Sequence, residues 1–367
     1  MIVGVPKEIK NHEYRVALVP SGAAQLVAAG HTVLVQQGAG LGARITDAAF
    51  EQAGAKMVPL EEVFQRAEMI MKVKEPQAEE LPRFKEGQLL YTYLHLAAMP
   101  ELTRQLVATG ITAVAYETVQ LPDGRLPLLT PMSEVAGKLA AQVGASTLMK
   151  PAGGEGVLMG GIPGVRPAQV VVLGGGVVGY NAAKVAVGMG ADVTLVDISL
   201  PVMTRMDDLF QGRLKTLMSN PHNLAEVLPT ADLVVGAVLV PGAKAPHLLN
   251  RAMLRQMRPG SVLVDVAVDQ GGCAETTRAT THADPTYVEE GVVHYAVANM
   301  PGSVPRTSTY GLTNATMPFA LQLANRGLAA LNDPVLAKGV NLHQGQVTYE
   351  AVAEAANMPY VPFLGAA

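Results

Sequence analysis

The feature that most limits what this chain can fold into lies at residues 170–197, VVVLGGGVVGYNAAKVAVGMGADVTLVD. It opens on an apolar β-branched run, VVVL, short enough to be a strand buried on both faces. Gly174, Gly176 and Gly179 follow in the spacing GxGxxG. The first glycine permits a tight turn, the second lets backbone approach a pyrophosphate, and the third lets helix and strand pack closely. A helical segment with small residues at Ala182, Ala183 and Ala186 comes next, then a second strand that stops at Asp197. A helix N-terminus there offers free N–H groups and the positive end of its dipole to phosphates. An acid about 20 residues on accepts the ribose hydroxyls and repels a 2′-phosphate. Glycines alone in this spacing are weak evidence. Strand, glycines, helix, strand and acid in order define a dinucleotide site, and Asp197 predicts NAD over NADP.

The remaining composition narrows the class. The chain has 367 residues, 49% hydrophobic and 16% charged, enough for two domains with cores of their own. A net charge of −4 without a basic block argues against nucleic acid. The single cysteine, Cys273, excludes an internal disulfide framework and suits a reducing compartment. The N-terminus MIVGVPKEIK is charged by Lys7 and does not read as a secretory signal. The longest stretch without charge, between Arg15 and Arg44, is broken by proline and glycines, so no membrane span is expected. A soluble cytoplasmic protein is the expectation. The histidines show no HxxxH spacing and one cysteine cannot form CxxC, so no metal site is expected.

Along the chain, strands are expected at 2–5, 31–36, 69–73, 89–94 and 111–116, alternating with helices but lacking the glycine fingerprint. A long helix is expected over 131–149, with Ser133 as a possible N-cap. After Asp197 a helix runs from 201 towards 218, and strands follow at 233–238, 262–266 and 292–297. A further helix is expected over 313–331, with Pro318 fitted into its first turn. The tail ends in a helix over 347–356 and is expected to return to the first domain. The fold class is therefore α/β with two doubly wound domains. A Rossmann domain (129–304) is inserted into a discontinuous substrate domain (1–128 and 305–367), and long helices link them.

Four residues at strand ends or in loops are candidates for chemistry. Arg15 lies in a polar run after the first strand and suits two-point binding of a carboxylate. Lys74 follows an apolar strand and suits a carbonyl or carboxylate. Alternation puts Lys72 on the same side, so periodicity leaves the two lysines undivided. His95 ends the strand LLYTYLH and has the ordinary pKa for proton transfer near neutrality. Asp269 is placed at the carboxyl end of the strand VLVDVAVD, with Asp265 deeper in the sheet and Gly271-Gly272 allowing close approach of a ligand.

The segments GVPKEIKNHEYRVALVPSG, KVKEP at 72–76, LHLA at 94–97, VLGGGVVG and DVAVDQGG together resemble the alanine dehydrogenase family. The N-terminal segment is shared with the nucleotide-binding subunit of proton-translocating transhydrogenase. The resemblance runs along essentially the whole chain. It implies reversible oxidative deamination, in which L-alanine, NAD and water give pyruvate, ammonia and NADH. It implies that Arg15 binds the substrate carboxylate and that Lys74 bonds the pyruvate carbonyl or carboxylate. His95 would be the general acid/base, and Asp269 would orient water or ammonia and help proton transfer. Nucleotide contacts are implied for Ser133, Gly174, Gly176, Val177, Val178, Gly179, Asp197, Ser219, Val238, Leu239, Val266, Ala267, Val268, Asp269, Arg278, Val297, Ala298, Asn299 and Met300. Val202 departs from the family, which often carries a basic residue there; Arg205 is a possible substitute. A homohexamer is implied by analogy. The alternatives are a transhydrogenase subunit, a dehydrogenase for another amino acid such as lysine or saccharopine, and a non-catalytic NAD-binding module.

Overall fold

The computed structural model describes residues 1–238 and 247–366. Leu239, an expected nucleotide contact, lies outside the described residues. The chain divides into two compact units, Met1–Met132 with Gly302–Ala367, and Ser133–Pro301.

The first unit begins with β1 (Ile2–Val5), β2 (Thr32–Gln36), β3 (Lys56–Val58), β4 (Met69–Met71), β5 (Leu89–Thr92) and β6 (Thr112–Ala115). These strands are parallel and lie in the order β3-β2-β1-β4-β5-β6. Apart from the edge strand β3 they are short and almost wholly buried, which is why they read as apolar runs without alternation. Between β1 and β4 the strand order reverses. At such a point the loops leaving the carboxyl ends diverge and open a crevice for a ligand.

Helix α1 (Thr130–Thr147) starts earlier than expected. Ser133 therefore sits inside its first turn and is not the N-cap. The second unit contains β7 (Gln169–Leu173), helix α2 (Val177–Gly188), β8 (Asp192–Asp197), β9 (Leu214–Met218), β10 (Leu233–Gly236), β11 (Val262–Asp265), β12 (Thr286–Glu289) and β13 (Val292–Tyr295). Its parallel strands run β9-β8-β7-β10-β11-β13, with β12 antiparallel at the edge. Strand β9 corrects the expectation of a helix to 218. The helix stops at Phe210 because Gln211 and Gly212 both take positive φ, 52° and 77°. Strand β12 was also not expected. It is joined to β13 by Glu290-Gly291, both at positive φ, the geometry of a tight hairpin turn.

Helix α3 (Pro305–Arg326) carries the chain back into the first unit. The expected helix began near 313 with Pro318 at its start; Pro305 takes that position instead, and Pro318 lies inside. An interior proline removes one helix hydrogen bond and costs about 3 kcal/mol or more. Burial of Leu312, Met317, Ala320 and Leu323 around it offsets that. Finally β14 (Val340–His343) pairs antiparallel with β6, and β15 (Gln346–Val347) pairs with β14. The tail returns to the first unit as expected, by way of a hairpin that periodicity over so few residues does not reveal.

Candidate functional site

In the first unit the polar residues gather at the carboxyl ends of β1, β4, β5 and β6. The loop after β1 supplies Glu8, Lys10, Glu13 and Arg15. The segment after β4 supplies Lys72, Lys74 and Glu75; β5 leads to Tyr93 and His95, and β6 to Glu117. Arg15 is buried, and Glu13 holds it. Its Nε donates to Glu13 Oε1 at 2.7 Å and Nη2 to Glu13 Oε2 at 2.6 Å, a two-point fork. Nη1 meets Met132 Sδ at 3.1 Å, a weak acceptor. Burial alone would lower the guanidinium pKa, but Glu13 outweighs it and Arg15 stays a cation.

The two lysines that alternation leaves undivided are separated by packing. Lys72 is fully buried between Glu8 (3.0 Å) and Glu80 (2.8 Å). Those carboxylates hold it charged against its burial. Glu8 also accepts the Val73 amide at 2.6 Å, so this triad fixes the backbone that leads to Lys74. A buried charge triad like this one is a structural clamp: removing one partner strands the others. Lys74 lies beyond the clamp, and its charge reaches His95 and Glu117.

His95 takes a left-handed backbone, φ 50°, and opens a short 3-10 turn. Burial first, then the cations Lys74, Lys10 and Arg15, push its pKa down to about 3. Its side chain is 36% exposed, and water moderates the effect of those cations. The imidazole is neutral at pH 7. Lys10 pairs with Glu75, whose other oxygen is buried and has no hydrogen-bond partner among the described residues.

In the second unit, all but two of the expected contacts that lie among described residues follow the carboxyl ends of parallel strands, along one edge of the sheet. Gly174 to Gly179 follow β7, Asp197 ends β8, Ser219 follows β9, and Val238 follows β10. Val266 to Asp269 follow β11, and Val297 to Met300 follow β13. Ser133 on α1 and Arg278 in the 276–280 loop are the two off this edge. The Arg278 guanidinium lies over the Tyr287 ring at 3.9 Å.

Each glycine of the turn has a distinct constraint. Gly174 is at φ 95°. A Cβ on Gly179 would lie 1.8 Å from the Gly174 carbonyl oxygen, so only glycine lets α2 pack there. A Cβ on Gly176 would meet nothing within 4 Å. Among the described residues nothing crowds that position, which suits a backbone kept bare for a ligand. Gly175 was not singled out by the spacing, yet a Cβ there would sit 2.4 Å from Val202. Its amide donates to Asp197 Oδ2 at 2.6 Å, and the Ser199 amide donates to Oδ1 at 2.8 Å. Asp197 is thereby held at the glycine turn, at the position a ribose-binding acid requires. The residues present fit a dinucleotide.

Asp269 corrects the sequence reading. Strand β11 ends at Asp265, and Asp269 lies in the 3-10 turn Val266–Gln270 beyond it. Asp265 is not deep in the sheet; it stops the strand. Its carboxylate accepts the Ala267 amide (3.0 Å), the Cys273 amide (2.7 Å) and the Thr277 hydroxyl (2.5 Å). Those bonds compete with the ladder and shape the loop that carries Asp269. Sequence reasoning also missed Glu13 and Glu117. Glu117 was open to the argument used for His95, a polar residue just past an apolar strand. Glu13 carried no signal of its own inside a charged run.

Among the described residues, no group of three or more His, Cys, Asp or Glu side chains is placed to hold a metal ion. No helix there is long and apolar enough to cross a membrane.

Two α/β units with the same parallel strand order, one carrying a dinucleotide turn and the other a cluster of buried charges, define a two-domain nucleotide-dependent protein. Residues 4–136 match the family model "Alanine dehydrogenase/PNT, N-terminal domain" and residues 140–350 its C-terminal counterpart. The chain belongs to the alanine dehydrogenase/PNT family. It is 57% identical over 366 residues to "Alanine dehydrogenase" of Methanococcus maripaludis, covering 99% of this chain and 98% of the relative. A solved "L-alanine dehydrogenase" superposes with a TM-score of 0.93 at 53% identity, covering 97% of this chain and 99% of the other. A transhydrogenase from Sinorhizobium meliloti superposes at 0.81 with 26% identity, covering 96% of this chain and all of the other.

Proposed function

We propose that the chain is an L-alanine dehydrogenase that uses NAD. L-alanine, NAD⁺ and water give pyruvate, ammonium, NADH and a proton, reversibly. The observation that carries this reading is the match, over nearly the full length and at 57% identity, to a protein named for that activity. The charged cluster supplies groups suited to each part of the substrate.

Arg15 and Lys74 bind the substrate carboxylate and carbonyl. A carboxylate is a far stronger acceptor than the thioether that Nη1 meets here. Glu13 keeps the guanidinium plane fixed, so little entropy is lost on binding. His95 is the acid/base of the carbinolamine and imine steps. Its neutral state suits proton removal directly. As a donor it depends on the substrate, because the substrate's carboxylate offsets the charge of Arg15 and Lys74, two of the three cations that hold its pKa down. Asp269 orients water or ammonia. The dinucleotide, when bound, supplies the hydride acceptor. The glycine turn and α2 hold its pyrophosphate, Asp197 the ribose hydroxyls, and the remaining strand-end residues its flanks. The negative charge of Asp197 favours NAD over NADP. The protein is further proposed to be cytoplasmic and to assemble as a homohexamer.

The purified chain tests this with an amino-acid panel, NAD and NADP, following absorbance of the reduced cofactor. Turnover of L-alanine with NAD is expected. Turnover confined to another amino acid would remove the substrate assignment. Dinucleotide binding without any turnover would favour a transhydrogenase subunit or a non-catalytic NAD-binding module.

A further inference from the structure

His95 keeps a left-handed backbone although it carries a Cβ. Such a conformation persists only where the surroundings over-determine it. Glu117 does this. Its Oε1 accepts the His95 amide at 2.5 Å, and both its oxygens accept the Leu94 amide at 3.2 Å. The same Oε1 lies 3.9 Å from His95 Nδ1, an ion-pair separation rather than a hydrogen bond. The ring is stacked on Tyr93, with centroids 5.8 Å apart and 5° between planes. The Tyr93 hydroxyl is itself tied to the Leu128 carbonyl at 2.5 Å. Tyr93 thus sets the plane of the imidazole and Glu117 borders its Nδ1 edge.

We propose that Glu117 is the positioning residue of His95: one carboxylate locks the left-handed backbone and faces Nδ1, so that Nε2 is the atom that takes and returns the proton. The proposal rests on His95 being the acid/base of the reaction above. When the Nε2 lone pair accepts a proton from the substrate, both ring nitrogens carry hydrogen and the ring becomes a cation. Nδ1–H then closes on Glu117 Oε1, and return of the proton from Nε2 reverses the step. Lys74, Lys10 and Arg15 all oppose that cation. Glu117 is the carboxylate at the ring that favours it; burial raises its own pKa, the His95 and Leu94 amides and the charge of Lys74 lower it, and its charge in turn adds to the burial that raises the pKa of the Tyr349 hydroxyl. A carboxylate behind a histidine orients the ring and steadies the imidazolium without itself taking the proton.

The test compares Glu117→Gln, Glu117→Asp and His95→Gln in the full chain. It reads kcat for pyruvate amination against pH, the pyruvate KM and the NADH Kd. Glu117→Gln is expected to lower kcat about 10- to 100-fold, at the low end of what acid/base groups contribute. KM and Kd should stay within about twofold, the split that marks a step-specific loss. The pH profile should move to lower pH, because an imidazolium without its anion forms only in more acid solution. Glu117→Asp keeps the charge and should keep the position of the profile. A wild-type kcat in Glu117→Gln overturns the proposal. So does a lowered kcat with an unmoved profile, which would reduce Glu117 to backbone support. Should Glu117→Gln fail to fold, ¹⁵N-histidine spectra of the wild-type chain decide, with the His95 signal assigned by its loss in His95→Gln. Neutral His95 is expected to carry its proton on Nδ1, and the opposite tautomer overturns the proposal. A His95→Gln chain with undiminished turnover would sink the acid/base reading itself. An inactive His95→Gln beside an unaffected Glu117→Gln would sink only the role of Glu117.

Discussion

The two sheets share a strand order and differ in what they place at the carboxyl ends. In the order β3-β2-β1-β4-β5-β6 the first unit puts a cluster of charged side chains there; in the order β9-β8-β7-β10-β11-β13 the second puts a glycine turn there, with Asp197 held against it. The same architecture offers the same crevice twice. A pyrophosphate is met by amide groups and a helix end, so its site is built by removing side chains. A small keto or amino acid calls for cations and a proton carrier, so such a site is built by adding side chains and then holding each one still. Glu13 holds Arg15, the Glu8–Lys72–Glu80 triad holds the segment leading to Lys74, and Asp265 shapes the turn that carries Asp269.

Substitutions can break this contrast. The largest effect is expected from His95→Ala and Asp269→Ala. Each should lower kcat by about 10²- to 10⁴-fold, the range for positioned acid/base groups, while NADH still binds. A near wild-type kcat in either would remove that residue from the chemistry, and lost NADH binding would blur the division of labour. Next come two glycines of one turn. Gly179→Ala forces a Cβ to within 1.8 Å of the Gly174 carbonyl and should cost about 1–3 kcal/mol of stability, read as a lower Tm. Gly176→Ala meets nothing within 4 Å among the described residues and should keep the Tm while NADH affinity falls. Equal Tm losses would show that both glycines serve packing alone. Arg15→Lys gives up the fork that Glu13 holds and with it the fixed Nη1 donor, and should raise the pyruvate KM about tenfold, the loss of one charge-assisted bond. An unchanged KM would take the substrate carboxylate away from Arg15.

The smallest effect is a slope in stability against pH. The folded-state pKa of His95 lies below its unfolded value, near 3 against 6.5. Between those values the unfolded chain binds a proton that the folded chain refuses, so stability falls as pH falls from about 6.5 towards 3. His95→Gln should flatten that part of the curve in chemical denaturation. An identical slope in the variant would place the titration elsewhere.

The contrast also accounts for what could be read without coordinates. Absent side chains leave a pattern, and the glycines between VVVL and Asp197 announce a nucleotide turn from the string alone. Present side chains do not: Arg15, Lys72, Lys74, His95 and Glu117 look alike as polar residues past apolar strands. Family resemblance picked out Arg15, Lys74 and His95 and passed over Glu117. Packing then showed Lys72 clamped in a buried triad and Lys74 outside it.

Elements were legible where one physical signal dominated. The buried parallel strands and the return of the tail to the first unit were read correctly. The hairpin strands β12, β14 and β15 were missed, as were β3 and β9, because they lie at or near sheet edges and gain their stability from a neighbouring strand. Pro318 misled because its local cost is visible and the burial that offsets it is not.

The sequence by itself determined the α/β class, the nucleotide turn and its acid, since these depend on short-range order and on what glycine alone permits. Only the tertiary structure decided which charges are locked in buried ion pairs. It also decided that Asp265 ends its strand, and that the His95 ring lies between Tyr93 and Glu117. Those outcomes depend on burial and on partners far apart in the chain, and neither is written in the local order of residues.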